Sequence, residues 1–123
     1  MNENIDLKSQ VQKSQLFTEI DNIVNGFYKT VNDKKIEIKT PKDLERIDRF
    51  FIPTLKKLIK LVESNKTYDG FILNQIKNTV IVDFFIRFFE SRGLDPSLFI
   101  PHFGKEEVKI FEKALRDMKT TMG

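Results

Sequence analysis

Residues 79–92 read TVIVDFFIRFFESR, and eight of these fourteen residues are valine, isoleucine or phenylalanine. On a helix with about 100° per residue, the apolar side chains cover nearly the whole circumference and leave one narrow strip. That strip consists of Asp83, Arg87 and Glu90, spaced i, i+4 and i+7. A helix this apolar must be covered on several sides. The stretch therefore predicts an α-helix that lies against several neighbours, either within its own chain or on a second molecule.

Three further main helices are predicted, which gives an all-α fold. The first spans about Ile5 to Val31, where apolar residues recur mostly every three or four positions. The second begins at Thr40-Pro41, because the threonine hydroxyl can cap a helix and proline fits the first helical position. The last follows Gly104. These helices predict an antiparallel bundle of about four helices, in which the second buries one stripe of residues: Leu44, Ile47, Phe51, Leu55, Leu58 and Val62.

Residues that break helices raise alternatives at two places. Asn25-Gly26 either ends the first helix early or lets a neighbouring helix approach closely, since glycine has no side chain. Pro53 falls inside the second helix, where it removes a backbone donor and clashes with the preceding turn. We expect a kink at Pro53 or two abutting helices.

The connections between helices also contain apolar residues. Residues 32–40, NDKKIEIKT, predict either a short strand or an extended linker that docks Ile36 and Ile38. The third helix is expected to run from about Phe71 to Arg92 and to end at Gly93, which favours the left-handed conformation. The next connection predicts either a plug at one end of the bundle or an anchor on a partner, formed by Leu98, Phe99, Ile100 and Phe103.

The composition limits the class of protein. A chain of 123 residues, 40% hydrophobic and 32% charged, is expected to form one globular domain over residues 1–123. Without cysteine there is no disulfide and no zinc site of the cysteine type. The first residues have no apolar run for a signal peptide, and Lys77, Asp83 and Arg87 interrupt the apolar stretch long enough to be considered as a membrane span. A cytoplasmic protein without a membrane segment is therefore expected.

Catalytic motifs are not found in the sequence. His102 is the single histidine, and the nearby Glu106 and Glu107 are explained by the first turn of the last helix. The chain contains no glycine-rich phosphate loop, HExxH or GxSxG motif. We therefore expect a non-enzymatic protein with no cofactor, metal or small-molecule ligand.

The aromatic helix suggests a protein partner, because exposed aromatic patches of this size are rarely left uncovered and the chain is short. The leading hypothesis is a small protein that acts by protein–protein interaction, self-associating as a homo-oligomer such as a dimer or binding another protein. The alternative is a central helix of the bundle, with Asp83 and Arg87 as an exposed ion pair. The candidate interface residues are Phe84, Phe85, Phe88 and Phe89, with Phe99 and Phe103 as extensions.

Positive charge is concentrated in the second quarter of the chain, where residues 34–66 carry ten basic and five acidic residues. On the second helix the basic residues follow helical spacing opposite the leucine stripe. They form a basic strip of Arg46, Arg49, Lys56, Lys57 and Lys60. Such a strip can neutralise several phosphates, so the alternative function is a nucleic-acid-associated accessory factor. The competing interpretation is an ordinary solvated helix face, since acidic residues are interspersed and Phe50 and Phe51 are expected in the core.

Overall fold

The computed structural model describes the backbone of residues 2–122 and the side chains of residues 15–119. All regular secondary structure in this range is helical. The long helices are α1 (Asn2–Asp33), α2 (Glu45–Glu63), α3 (Gly70–Glu90) and α5 (Lys105–Met122). A short helix, α4, spans Pro96–Phe99, and 3₁₀ turns span Pro41–Leu44 and Ile100–His102. The all-α prediction is confirmed for the described residues.

The first helix continues past Asn25-Gly26 without interruption. A Cβ atom placed on Gly26 would meet no other atom within 4 Å, so no neighbouring helix approaches closely there. Both expectations for this dipeptide are therefore wrong. One glycine in a helix costs about 1 kcal/mol, whereas continuing the helix buries Phe27 and Val31 at 4% and 0% exposure. Burying each such side chain contributes about 1.5–3 kcal/mol, which outweighs the cost of the glycine.

The segment between α1 and α2 is an extended linker. Residues 36–39 have no regular secondary structure. Ile38 is buried, and Ile36 is partly buried against the core. Of the two alternatives for this segment, the linker is confirmed, and no residue in the described range forms a strand with it.

The helical segment that precedes α2 begins with a capping box, in which Thr40 is the cap residue and Asp43 is its partner. The Oδ2 atom of Asp43 accepts hydrogen bonds from the backbone N–H groups of Lys39 and Thr40, at 2.8 Å and 3.0 Å. Because these bonds favour the charged carboxylate, they hold the pKa of Asp43 below its ordinary value. The capping position predicted for Thr40 is therefore confirmed.

The predicted buried stripe of the second helix is confirmed. Its six members are between 0% and 2% exposed: Leu44, Ile47, Phe51, Leu55, Leu58 and Val62. Pro53 lies on the exposed side, and α2 continues across it as one helix. The alternative of two abutting helices is therefore wrong. The proline leaves the Arg49 carbonyl without its helix donor, while the buried residues before and after it pack on the same core.

Aromatic side chains from the same chain enclose α3. They come from α1, from α2, from α4 and from α5. Representative distances between ring centres are 5.3 Å for Phe27–Phe88, 4.4 Å for Phe51–Phe84, 5.1 Å for Phe89–Phe99 and 5.1 Å for Phe85–Phe111. Aromatic pairs at such distances add about 0.5–1.5 kcal/mol beyond the burial of their area. The core is therefore a continuous aromatic cluster with α3 running through it.

The polar strip of α3 faces solvent. The Nε atom of Arg87 lies 2.9 Å from Oδ1 of Asp83, and these side chains are 72% and 50% exposed. An exposed pair at this spacing stabilises a helix by about 0.3–0.5 kcal/mol. In the part of the chain that the structure describes, no helix has the length and apolar character needed to cross a membrane.

The end of α3 agrees with the sequence pattern. Gly93 has a φ of 71°, as predicted for a left-handed terminator. In the following connection, three of the four apolar residues pack inside, namely Phe99, Ile100 and Phe103. Leu98 is 62% exposed and takes no part in this plug.

Candidate binding surface

The six phenylalanines proposed as a partner interface lie inside the chain. Phe84, Phe85, Phe88 and Phe89 are 0–2% exposed, and Phe99 and Phe103 are 4% and 6% exposed. The premise that so short a chain leaves part of this surface bare is wrong. The rings that cover α3 are far apart in the sequence, so the pattern of α3 alone does not show how many neighbours surround it. In this fold the six side chains have no surface to offer a partner.

The basic strip, by contrast, lies entirely on the surface. All five of its side chains are exposed on the side of α2 opposite the buried stripe. Arg46 lies 3.9 Å from Asp43. The other four have no ion-pair partner among the described side chains, namely Arg49, Lys56, Lys57 and Lys60. From Arg46 to Lys60 the strip extends about 21 Å along the helix axis.

A groove runs beside this strip, between α1 and α2. Its main part has a volume of about 530 Å³. The lining residues are Asn22, Ile23, Gly26, Phe27 and Thr30 from α1, and Arg49, Phe50, Pro53, Thr54 and Lys57 from α2. None of them is acidic, and two are cationic. A second hollow of about 450 Å³ adjoins it, shares Asn22, Ile23 and Lys57, and reaches Lys60 and Glu19.

The Phe50 ring, which lines the groove, contacts two cations. Its side chain is partly exposed, which corrects the expectation that it belongs wholly to the core. The Arg49 guanidinium carbon lies 4.8 Å from the centre of the Phe50 ring, and Lys34 Nζ lies 5.4 Å from it. Contacts of this kind contribute about 0.5–1 kcal/mol at exposed sites. The ring therefore restricts where these two charges lie.

The flank of α2 away from the groove is acidic. Oδ1 of Asp48 is buried and has no hydrogen-bond partner among the described residues. Burial, followed by the charges of Glu107 and Glu45, raises the pKa of Asp48 above its ordinary value. Glu107 is itself 9% exposed. Asp48 and Glu107 therefore place buried negative charge on the side of α2 away from the groove.

Two other titratable residues, Tyr28 and Arg92, line a separate hollow of about 620 Å³. His102 is exposed on the 3₁₀ turn Ile100–His102. Among the side chains that the structure describes, no group of three or more histidine, aspartate and glutamate residues is arranged to hold a metal ion. The basic strip together with its groove combines four cations that have no ion-pair partner in the described range with an adjoining hollow.

Known proteins offer no relative, since no family model, no curated protein and no solved structure matches the chain. The function is therefore inferred from the chain's own surface. Sequence reasoning found the strip because helical spacing is enough to define it. It missed Phe50 and the α1 side of the groove. The position of Phe50 between the buried stripe and the basic strip on the helical projection is a signal that could have identified it.

Proposed function

We propose that this is a non-enzymatic binding protein that associates with nucleic acid through the basic strip. The supporting observation is that four exposed cations on one side of α2 have no ion-pair partner in the described range: Arg49, Lys56, Lys57 and Lys60. A polyanion would supply the missing counter-charges. The groove beside them adds further support, because its main part has no acidic lining residue.

Binding of this kind has a characteristic dependence on salt. If all five strip residues contact phosphates, log K falls with log salt at a slope of about −4.5 for a duplex and about −3.5 for a single strand. Duplex affinity would then fall about 500-fold between 50 and 200 mM salt. A surface that binds through apolar contacts would lack this slope.

The test compares two charge-reversed proteins with equal net charge. Arg49→Glu combined with Lys56→Glu removes two strip cations and is expected to abolish retention of DNA and RNA at low salt. Lys105→Glu combined with Lys109→Glu changes two exposed cations on α5 and should leave most binding intact. If the wild-type protein does not bind either nucleic acid at low salt, or if the two variants lose binding equally, the proposal is wrong.

Self-association is a second candidate, and a different surface now supports it. Phe17 and Phe71 are 47% and 69% exposed, and Ile72 is 38% exposed. The Phe17 ring contacts Tyr68 with its centre 6.5 Å away, so α1 and the start of α3 bring these residues to one end of the molecule. We propose a second copy of the chain as the partner, since exposed apolar clusters are typical of interfaces.

Sedimentation velocity tests this second candidate. Wild type is expected to show a concentration-dependent dimer that Phe71→Ser weakens. Leu98→Ser, at another exposed apolar residue, is the control and should leave the dimer unchanged. A wild-type monomer at high micromolar concentration would exclude self-association.

We also propose the finer features of the fold and location. An antiparallel arrangement of the long helices is supported by the short connection of residues 64–69 between α2 and α3. A bend of α2 at Pro53 is supported by the lost backbone donor. A cytoplasmic location is supported by the cysteine-free composition, which suits a reducing compartment.

A further inference from the structure

We infer that the groove between α1 and α2 holds a single-stranded nucleic acid, with its phosphates along the α2 edge and its bases over the groove floor. This inference rests on the proposed function and specifies its ligand. The basic strip alone could attract any polyanion. The groove adds a concave, partly apolar surface beside the charges, on which unpaired bases can lie.

The main part of the groove is charged on one side only, whereas Glu19 of α1 lies in the adjoining hollow. Arg49 and Lys57 line the main part from α2, and Lys60 lines the adjoining hollow. These three residues span about 17 Å along the helix axis. Phe50 keeps Arg49 beside the groove, since the guanidinium carbon lies 4.8 Å from the ring centre. A backbone running along this edge would meet one cation after another.

The floor and the α1 side have the chemistry of a surface for bases. Ile23, Phe50 and Pro53 supply apolar atoms, and Asn22 and Thr30 supply polar groups that could meet base edges. Gly26 lies between Asn22 and Thr30 on α1 and leaves the groove open, because a Cβ atom there would touch nothing within 4 Å. A duplex could reach the cations with its phosphates, but its paired bases would stay outside the groove.

Gly26 provides a test that alters the groove without altering charge. In Gly26→Gln a neutral side chain projects into the groove, while Gly26→Ala adds one methyl group where space is open. Both residues favour a helix more than glycine does, so both variants are expected to fold. Circular dichroism melting curves of the two variants verify this directly.

Fluorescence anisotropy would measure binding of a deoxythymidine oligomer of about 12 nucleotides and of a duplex of equal length. Wild type is expected to bind the oligomer more tightly. Gly26→Gln should lower the affinity for the oligomer at least about fivefold, which is the loss expected when one base can no longer stack. It should leave the affinity for the duplex unchanged, and Gly26→Ala should leave both affinities unchanged.

Other outcomes separate the failure of this inference from the failure of the proposed function. If Gly26→Gln binds the oligomer as wild type does, while Arg49→Glu with Lys56→Glu abolishes binding, the groove assignment is wrong and the basic strip stands. If a polyglutamate peptide of equal charge binds as tightly as the oligomer and is weakened equally by Gly26→Gln, the occupant is an acidic peptide and the inference is overturned. If neither nucleic acid binds at low salt, the proposed function is wrong, and the inference that rests on it is wrong as well.

Discussion

Replacing Asp48 with asparagine should stabilise the protein. Asp48 Oδ1 is buried and lacks a hydrogen-bond partner in the described range. Glu107 and Glu45 add repulsion and help to raise its pKa, although burial is the larger cause. A buried polar atom without a partner costs more when its group is charged than when it is neutral. Asparagine keeps the shape and the unpartnered atom but removes the charge, and with it the repulsion from Glu107 and Glu45. Because Asp48 is partly exposed, we expect a modest gain in the free energy of unfolding, on the order of 1 kcal/mol at pH 7.

The gain should depend on pH in a defined direction. Because its pKa is raised, folded Asp48 binds its proton more tightly than the unfolded chain does, for which the ordinary value is 3.8. Wild type therefore loses stability as pH rises through the interval between 3.8 and the raised pKa. Asparagine has no such proton. The advantage of the variant should be complete above the raised pKa and should vanish below pH 3.8.

Urea unfolding at a series of pH values would measure this difference, and thermal melting near neutral pH should show a rise of about 3–5 °C. Asp21→Asn is the matched control, since it makes the same chemical change at an exposed position of α1. The control should shift the free energy of unfolding by less than about 0.5 kcal/mol. A destabilised Asp48→Asn protein, or a gain that does not change with pH, would refute the reasoning.

Three further substitutions test other parts of the fold. Gly26→Ala should raise the free energy of unfolding by about 1 kcal/mol, measured in urea, because α1 is intact there and the added methyl group meets no atom; a loss of stability would contradict this geometry. Phe88→Ala should lower it by about 3–5 kcal/mol, since the ring is 0% exposed; a cost below about 1 kcal/mol would mean that α3 is not enclosed. Asp43→Asn should lower the free energy of unfolding at neutral pH. The wild-type carboxylate stabilises the fold only while it is charged, since its pKa is lowered, so the effect of the substitution should shrink as pH falls below 3.8.

The helical pattern of the sequence predicted correctly those features that depend on a single helix. The stripe from Leu44 to Val62 follows from spacing alone, and so does the surface position of the basic strip. Gly93 terminates α3 because its left-handed conformation is a local property. The cap position before α2 also follows from local sequence, since Thr40 lies there as predicted. The hydrogen bonds that Asp43 accepts from Lys39 and Thr40 depend on the folded geometry.

Features that depend on several elements could not be read from the sequence. The enclosure of α3 combines Phe27, Phe51 and Phe111, which lie on three different helices. Each ring covers only part of the circumference, so no single segment reveals that the total is sufficient. The groove depends likewise on how α1 lies against α2. The two predictions for Gly26 were an early end of α1 or a close helix approach, whereas it leaves the groove open.

The distribution of charge on α2 helps to distinguish a binding surface from an ordinary solvated face. Arg46 is explained locally by its contact with Asp43, and Lys60 by the negative end of the helix dipole in the last turn. Lys56 and Lys57 have neither explanation, and Lys56 repels Lys60 at spacing i, i+4 by about 0.2–0.5 kcal/mol. These two lysines contribute no ion pair to the described fold. Lys57 lines a groove whose main part has no acidic residue, and Lys56 lies exposed next to it in the sequence. Two such cations are what a polyanion would use, and a bound polyanion would in turn stabilise the folded chain.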